Sequence, residues 1–266
     1  MNAPDLNNYD LIIVNSSGGK DSSCALFEVC RIADLQSFPK ENIIISHQCL
    51  GKMEWKGTKE LVLQQAEFFG IKNIQVTKRR TKEGYEENLL EYVERRGKFP
   101  SNKQRFCTSD FKRAPGQRVM TSAAKNLGDC KVLYVFGFRS EESPYRAKKQ
   151  PIVVNELLST QKRTVYDWLP IHDWSTKKVW DTIKLNKIPY HFAYELGMPR
   201  LSCVFCIFSP KDALVLAGKH NPELLDEYVE VETRIGHSFK NNLSIASIKN
   251  LIESGYEPTK IENWTM

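Results

Sequence analysis

The chain has 266 residues, 41% of them hydrophobic and 26% charged, with a net charge of +6, enough length for one sizeable core or a core with an appendage. It contains no run of about 18 consecutive apolar residues, and its first ten are polar and acidic rather than basic and then apolar, so the expectation is a soluble cytoplasmic protein with no membrane partner. Seven cysteines, an odd number, argue against a disulfide framework and toward ligand or redox use.

Residues 10–15 (DLIIVN) form a short apolar run ending in a small polar residue, which suits a buried parallel strand feeding a tight turn. From Lys20 onward, Ser22, Ala25, Leu26, Val29 and Ile32 lie at helical spacing, with no proline until Pro39. Residues 42–47 (NIIISH) read as a second strand, 56–69 as a helix stopped by Gly70, and 73–77 as a third strand. This alternation implies right-handed crossovers and a mostly parallel sheet, whose ligands sit at the carboxyl ends of the strands. Residues 84–96 and 114–127 are expected as helices, the second with an irregular start at Pro115 and Gly116, and residues 131–138 as the fourth strand. Residues 139–163, rich in charge and proline without periodicity, read as a long loop or lid. Ser175 can cap a helix through residues 180–185, and after Cys206 the pattern is all-helical, with Asn221 and Pro222 opening a helix that Gly236 ends.

SSGGKDSS follows the first strand directly and opens the first helix, the setting of a phosphate-binding turn. Gly18 and Gly19 let successive amides approach an anion, Ser17, Ser22 and Ser23 add hydroxyls, and Lys20 adds a point charge. A Walker loop would need Gly at position 14 and Ser or Thr after the lysine, where Val14 and Asp21 stand. The dinucleotide fingerprint needs alternating glycines, which are absent. Charge is uneven along the chain: residues 72–118 hold thirteen Lys and Arg against six Asp and Glu, so the remainder is slightly acidic. Such a stretch is either a solvated face or a footprint for phosphate-rich partners, a nucleotide or a nucleic acid such as tRNA or DNA.

The SGGKDSS loop resembles the pyrophosphatase loop of the N-type ATP pyrophosphatases, and the chain is similar to their phosphoadenosine phosphosulfate reductase-like branch. HQCLGKMEW (47–55), RFCTSDFKRAP (105–115), GFRSEESPYR (137–146), PIHDWS (170–175) and LSCVFC (201–206) occur in that family's order, covering roughly residues 10–210. The resemblance implies a Rossmann-like, adenine nucleotide alpha hydrolase-like α/β fold with a mostly parallel sheet flanked by helices, occupying residues 1–206, and a helical extension over 207–266. It implies an enzyme that cleaves ATP between the α and β phosphates, releasing pyrophosphate and adenylylating a substrate oxygen, with Mg²⁺ offsetting charge on the phosphoryl oxygens. By the same carry-over Ser17, Gly18, Gly19, Asp21, Ser22 and Ser23 hold the phosphates with help from Lys20. His47 and Gly51 meet the adenosine part, Gly137 belongs to the nucleotide-binding set, and Arg139 and Arg146 clamp the phosphates or the leaving group. The alternative for the two arginines is an ion pair with Glu141 or Glu142, and for His47 a buried core role. Relatives carry an acidic residue where Cys49 stands, so that carboxylate is absent or moved here.

Cys203 and Cys206 form a CxxC, and Cys107 lies in a separate motif. Three thiolates suit a [4Fe–4S] cluster with one iron open, as in sulfur-transferring relatives. A structural zinc with His172 or His191 as fourth ligand is the rival, and plain buried thiols the third option. Cys24, Cys30 and Cys130 are expected to be packing residues. Three functional readings follow: ATP-dependent adenylyl transfer in sulfur transfer (thiolation or phosphorothioation), with a sulfur-donor protein as partner; phosphoadenosine or adenosine phosphosulfate reduction; or nucleotide-binding regulation without turnover. The reductase ranks second because its chemistry needs a nucleophilic thiol on a mobile tail, and IENWTM (261–266) holds none.

Overall fold

The structure, a computed structural model, describes residues 3–125 and 127–261; the tail reading over 262–266 and the helix position at 126 lie outside them. The chain packs as two compact units, each assembled from three segments. One holds the residues up to Gln48, Gly57–Thr77 and Gly116–His191; the other holds Cys49–Lys56, Lys78–Pro115 and the residues from Phe192 on. The helical stretch after residue 206, expected as an extension, thus packs together with two earlier segments.

The first unit is a six-stranded sheet, made of β1 (Leu11–Asn15), β2 (Ile43–Gln48), β3 (Asn73–Thr77), β4 (Cys130–Val135), β5 (Ile152–Val154) and β6 (Arg163–Trp168) in the order β3-β2-β1-β4-β6-β5. All pairings are parallel except β5 with β6. The Rossmann-like α/β expectation holds. Alternate residues of each central strand feed two different cores, as a sheet covered on both faces requires. Ile12, Val14, Ile43, Ile45, Leu133 and Val135 pack with α1 (Lys20–Gln36), α2 (Thr58–Phe68) and α7 (Thr176–Leu185). Leu11, Ile13, Ile44, Val132 and Tyr134 pack with α5 (Ala114–Ala124).

One expectation fails in this unit. Residues 139–163 are not a featureless loop: a 3₁₀ turn (Ser140–Glu142) and the short helix α6 (Pro144–Ala147) lead into β5, which hairpins back onto β6. Sequence periodicity missed β6 because its half-buried positions alternate only in part, with Thr164, Tyr166 and Asp167 at intermediate exposure. The α5 helix begins at Ala114, as expected, and ends at Ala124, short of residue 127. It continues α4 (Phe106–Thr108) through a π-helical turn at Ser109–Arg113, where widened hydrogen bonding relieves the proline's missing N–H.

The second unit is built on α3 (Leu89–Arg96), α4, α8 (Lys211–His220), α9 (Pro222–Ile235) and α10 (Ile245–Glu253). Its core gathers Met53, Trp55, Leu90, Phe99, Phe111, Leu214, Tyr228, Phe239 and Ile248. The helix expected over residues 84–96 is shorter. Arg80 bridges Glu86 across a turn containing Gly84 at φ +95, and Asn88 caps α3 by accepting from the Glu91 N–H while Glu91 accepts from the Asn88 N–H. A positive-φ glycine and a complete capping box both end the turn before the helix starts. Among the described residues no helix is long and apolar enough to cross a membrane.

Candidate functional site

In the sheet order, β1 continues to β2 on one side and adjoins β4 on the other, which makes the gap beyond their carboxyl ends the switch point where α/β sheets open a crevice. The Asn15 side chain donates to the Val135 carbonyl at 3.1 Å across that gap. The loop from Ser16 to Gly19 leaves β1 here. Gly18 has φ +71, and a Cβ on it would lie 3.3 Å from the Thr58 carbonyl oxygen; both turn and space favour glycine. Gly19 is the extended N-cap residue of α1 and makes no side-chain cap, so the first amides of a 17-residue helix face the crevice with the positive end of its dipole. Serine hydroxyls brace the bend. Ser22 Oγ donates to the Gly19 carbonyl at 2.9 Å and accepts from the Ser17 N–H at 3.2 Å, and Ser23 Oγ donates to the Lys20 carbonyl at 3.0 Å.

Charge is concentrated at the start of α1. Lys20, only 3% exposed, places Nζ 2.8 Å from Asp21 Oδ2, while Arg139 Nε donates to Asp21 Oδ1 at 2.6 Å. Burial pushes the Asp21 carboxyl up, but Lys20 and Arg139 outweigh it and hold the group below its ordinary value. Arg139 is itself held by Glu141 at 2.8 Å and the Trp174 carbonyl at 3.2 Å, and Glu141 accepts from the Thr176 N–H. Arg139 thus reaches the loop at Asp21 and also makes the expected alternative ion pair with Glu141. Arg146 goes to Glu142 instead, with its guanidinium 4.3 Å from the Phe138 ring centroid, so it is not brought to Asp21.

Gly137 explains how Arg139 gets there. A Cβ at Gly137 would lie 2.7 Å from the Asp21 carbonyl oxygen and 2.9 Å from the Ser22 nitrogen, so the chain after β4 passes against the backbone of the first turn of α1. His47, 1% exposed at the end of β2, lies with Nδ1 3.0 Å from the Ser16 carbonyl and steadies the start of the loop. Gly51, expected near it, belongs to the second unit, in a 3₁₀ turn at φ +62. Sequence reasoning did not single out Thr58 or Trp174, because their roles arise from long-range placement with no local spacing.

The three expected ligand cysteines all fall in the second unit. Cys203 is buried, and Cys107 and Cys206 are half-buried. Burial first, then the neighbouring Cys203, pushes the Cys206 thiol up to about 11 and raises that of Cys107. The Lys112 ammonium is raised chiefly by Cys203, with Cys206 and Cys107 adding to it. The four groups therefore share one electrostatic neighbourhood. Among the described residues the three sulfurs do not form a set whose ligand atoms all lie within 4.8 Å, the closeness one ion demands. His172 and His191, the fourth-ligand candidates for zinc, belong to the first unit, where His172 Nε2 lies 2.9 Å from the Arg146 carbonyl and His191 Nε2 3.5 Å from Thr58 Oγ1. Soft thiolates are the donor type that zinc and iron–sulfur clusters both take. At the loop, the Asp21 carboxylate and the serine hydroxyls are hard oxygen donors of the kind Mg²⁺ takes alongside phosphate oxygens. Cys24 and Cys30, as expected of packing residues, have thiols pushed by burial to about 12.

Comparison with known proteins adds to this geometry. Residues 11–209 match the profile of the phosphoadenosine phosphosulfate reductase domain. The chain is 28% identical over 238 residues to an uncharacterised protein of Methanocaldococcus jannaschii, covering 90% of this chain and 44% of that one. It is 29% identical over 124 residues to the adenosine 5'-phosphosulfate reductase of Neisseria meningitidis, covering 45% of this chain and 46% of the relative. The chain thus spans less than half the length of these curated relatives. Among solved structures, the phosphoadenylyl-sulfate reductase from Candida auris is similar at a TM-score of 0.46 and 17% identity, over 74% of this chain and 83% of that one.

Proposed function

The chain belongs to the phosphoadenosine phosphosulfate reductase family, and from that premise we propose that it is an ATP-using adenylyltransferase in sulfur transfer. The observation that carries this reading is the Asp21 carboxylate held between Lys20 and Arg139 on the first turn of α1, behind a glycine bend at the switch point. In the proposed reaction an acceptor oxygen attacks the α-phosphorus of ATP, the bond from that phosphorus to the bridging oxygen breaks, and pyrophosphate leaves with the bonding electrons. A sulfur donor then displaces AMP from the adenylylated acceptor carbon or phosphorus. This chemistry needs neutralised charge more than a protein nucleophile.

The residues divide the work as follows. The amides of Gly18, Gly19 and Lys20 take the phosphate oxygens, with Ser17, Ser22 and Ser23 fixing their direction. Asp21 would hold Mg²⁺, which when bound would offset charge on the phosphoryl oxygens, and Lys20 and Arg139 supply positive charge toward the departing pyrophosphate. Gly137 sets how near Arg139 comes, His47 fixes the loop's base, and Arg146 serves the outer part of the nucleotide. Cys107, Cys203 and Cys206 would hold a [4Fe–4S] cluster, which when bound supplies an open iron able to carry sulfide. The basic segment from Lys72 to Arg118 makes a nucleic acid, tRNA or DNA, the acceptor this reading favours. A cytoplasmic location and a separate sulfur-donor protein belong to the same proposal.

Reduction of a sulfonucleotide is the second reading, favoured by the names of two relatives, both adenosine 5'-phosphosulfate reductases. Parallel assays separate the two. Purified anaerobically and offered Mg·ATP with RNA or DNA, the protein should release pyrophosphate, and Asp21→Ala should lower that rate by roughly a hundredfold or more. Sulfite release from adenosine 5'-phosphosulfate with a dithiol reductant, in the absence of any pyrophosphate from ATP, would replace the first reading by the second.

A further inference from the structure

The second unit carries a cavity of about 480 Å³, a volume in the range that takes one small ligand or one unit of a longer one. Arg96, at the end of α3, and Arg105 and Arg113, flanking α4 and the π-helical turn, all line it. Asp110 is the one carboxylate on its wall, so these four groups leave two positive charges over. Asp110 is already engaged: Tyr92 Oη donates to it at 2.6 Å and Ser109 Oγ at 2.6 Å, and these bonds with Arg79 and Arg96 outweigh burial and keep it ionised.

None of the three guanidinium groups has a carboxylate within 4.0 Å among the described residues. Arg96 donates to Tyr92 Oη at 3.2 Å and lies 4.8 Å from the Phe106 ring centroid, and Arg105 lies 4.8 Å from that of Phe208. Aromatic faces hold these two cations in place without neutralising them. Elsewhere in the same basic stretch Arg79 and Arg95 share Glu87, and Lys78 pairs with Glu86. The cavity wall is thus one place in the stretch where unmatched positive charge gathers. Two further features lie in the same basic segment. Tyr85, 73% exposed on the turn between Arg80 and Glu86, offers a ring for stacking within the same basic segment. Cys107 sits between the lining residues Phe106 and Thr108.

We infer that this cavity docks the phosphodiester backbone of a single-stranded nucleic acid, which is the acceptor. Unpaired arginine forks bind phosphate oxygens in two places each, an exposed aromatic stacks an unpaired base, and a concave site of this size admits an extruded nucleotide where a duplex would span it. A strand so held passes beside the Cys107 side of the thiol group. The inference rests on the reading above for its meaning, but it concerns binding with no ATP present, so its failure and that of pyrophosphate release are read separately.

The test is fluorescence anisotropy of short labelled single-stranded RNA and DNA against the anaerobically purified full chain at several salt concentrations. Binding should weaken with salt, and the combined change Arg96→Gln, Arg105→Gln, Arg113→Gln should reduce affinity by about tenfold or more and flatten the log–log salt slope by about 2, the loss of three phosphate contacts on a single strand. Replacing the same three residues by Lys should restore most of the slope. All three are exposed side chains, and an unchanged thermal transition confirms that the variants are folded. Whichever of RNA or DNA binds tighter identifies the acceptor's sugar. Equal salt slopes for wild type and the Gln variant, no binding of either strand at about 50 mM salt, or equally tight binding of a duplex would overturn the inference. Competition by millimolar inorganic pyrophosphate as effective as that by unlabelled strand would overturn it too, by marking a small-anion site.

Discussion

Gly137 has no room for a methyl group, because the backbone of Asp21 and Ser22 stands within 3 Å of where its Cβ would be. The obstacle is helix backbone and cannot rotate away, so Gly137→Ala should force the chain after β4 outward, lower stability by about 1–3 kcal/mol in a denaturant titration, and weaken nucleotide binding as Arg139 withdraws. Asp21 makes a pH-dependent counterpart. Its folded carboxyl titrates below the ordinary value of 3.8, so the stability it contributes is present above pH 3.8 and is lost as pH falls through the lower folded value. The stability difference between wild type and Asp21→Asn should accordingly be flat from neutral pH down to about pH 5 and shrink in acid below it; a difference that changed between pH 6 and 8 would point to another group. The glycines and serines of the loop and Lys20 were legible because their meaning is local: a strand, a bend, a helix start. Gly137 and Arg139 were legible only as parts of a familiar motif, since what they touch lies over a hundred positions away in sequence.

Among the elements, those with both a period and a punctuation mark were readable. The α9 helix is the clearest case, with Asn221, Pro222 and a left-handed Gly236 at φ +62 where they were expected. The strand pair β5 and β6 was not readable, because an edge hairpin exposed on one side keeps no clean alternation. Ile152, Val153 and Val154 are all exposed in part, and edge strands of this kind are specified by their neighbour more than by their own pattern. Nor does any local pattern announce the tie between α9 and α10. The Glu232 carboxylate, buried beneath the turn that joins them, accepts from the N–H groups of Phe239 at 2.6 Å, Ile245 at 3.0 Å and Ala246 at 3.0 Å. Glu232→Ala strands these donors, and should cost about 1–3 kcal/mol in chemical denaturation, with Glu232→Gln recovering part of the loss. Unchanged stability of the alanine variant would show that water replaces the carboxylate.

Across the whole chain, the two kinds of chemistry expected from the sequence fall in different packing units: the anion-binding bend and its charges in one, the three thiols and the arginine cavity in the other. Linear order hid that division, since the second unit is stitched from residues on either side of the sheet's central strands. The separation has a measurable consequence. Substituting Ser for Cys107, Cys203 and Cys206 together should abolish iron and acid-labile sulfide in anaerobically purified protein while leaving ATP affinity within about threefold, because no phosphate ligand is touched. One equivalent of zinc without iron would instead favour the single-ion reading of those thiols. The account as a whole depends on the amides of the bend meeting a triphosphate. Hydrogen–deuterium exchange with and without Mg·ATP tests this without knowledge of the acceptor: protection is predicted across residues 16–23 and 137–140, and protection that appears elsewhere while residues 16–23 exchange at their nucleotide-free rate would contradict it.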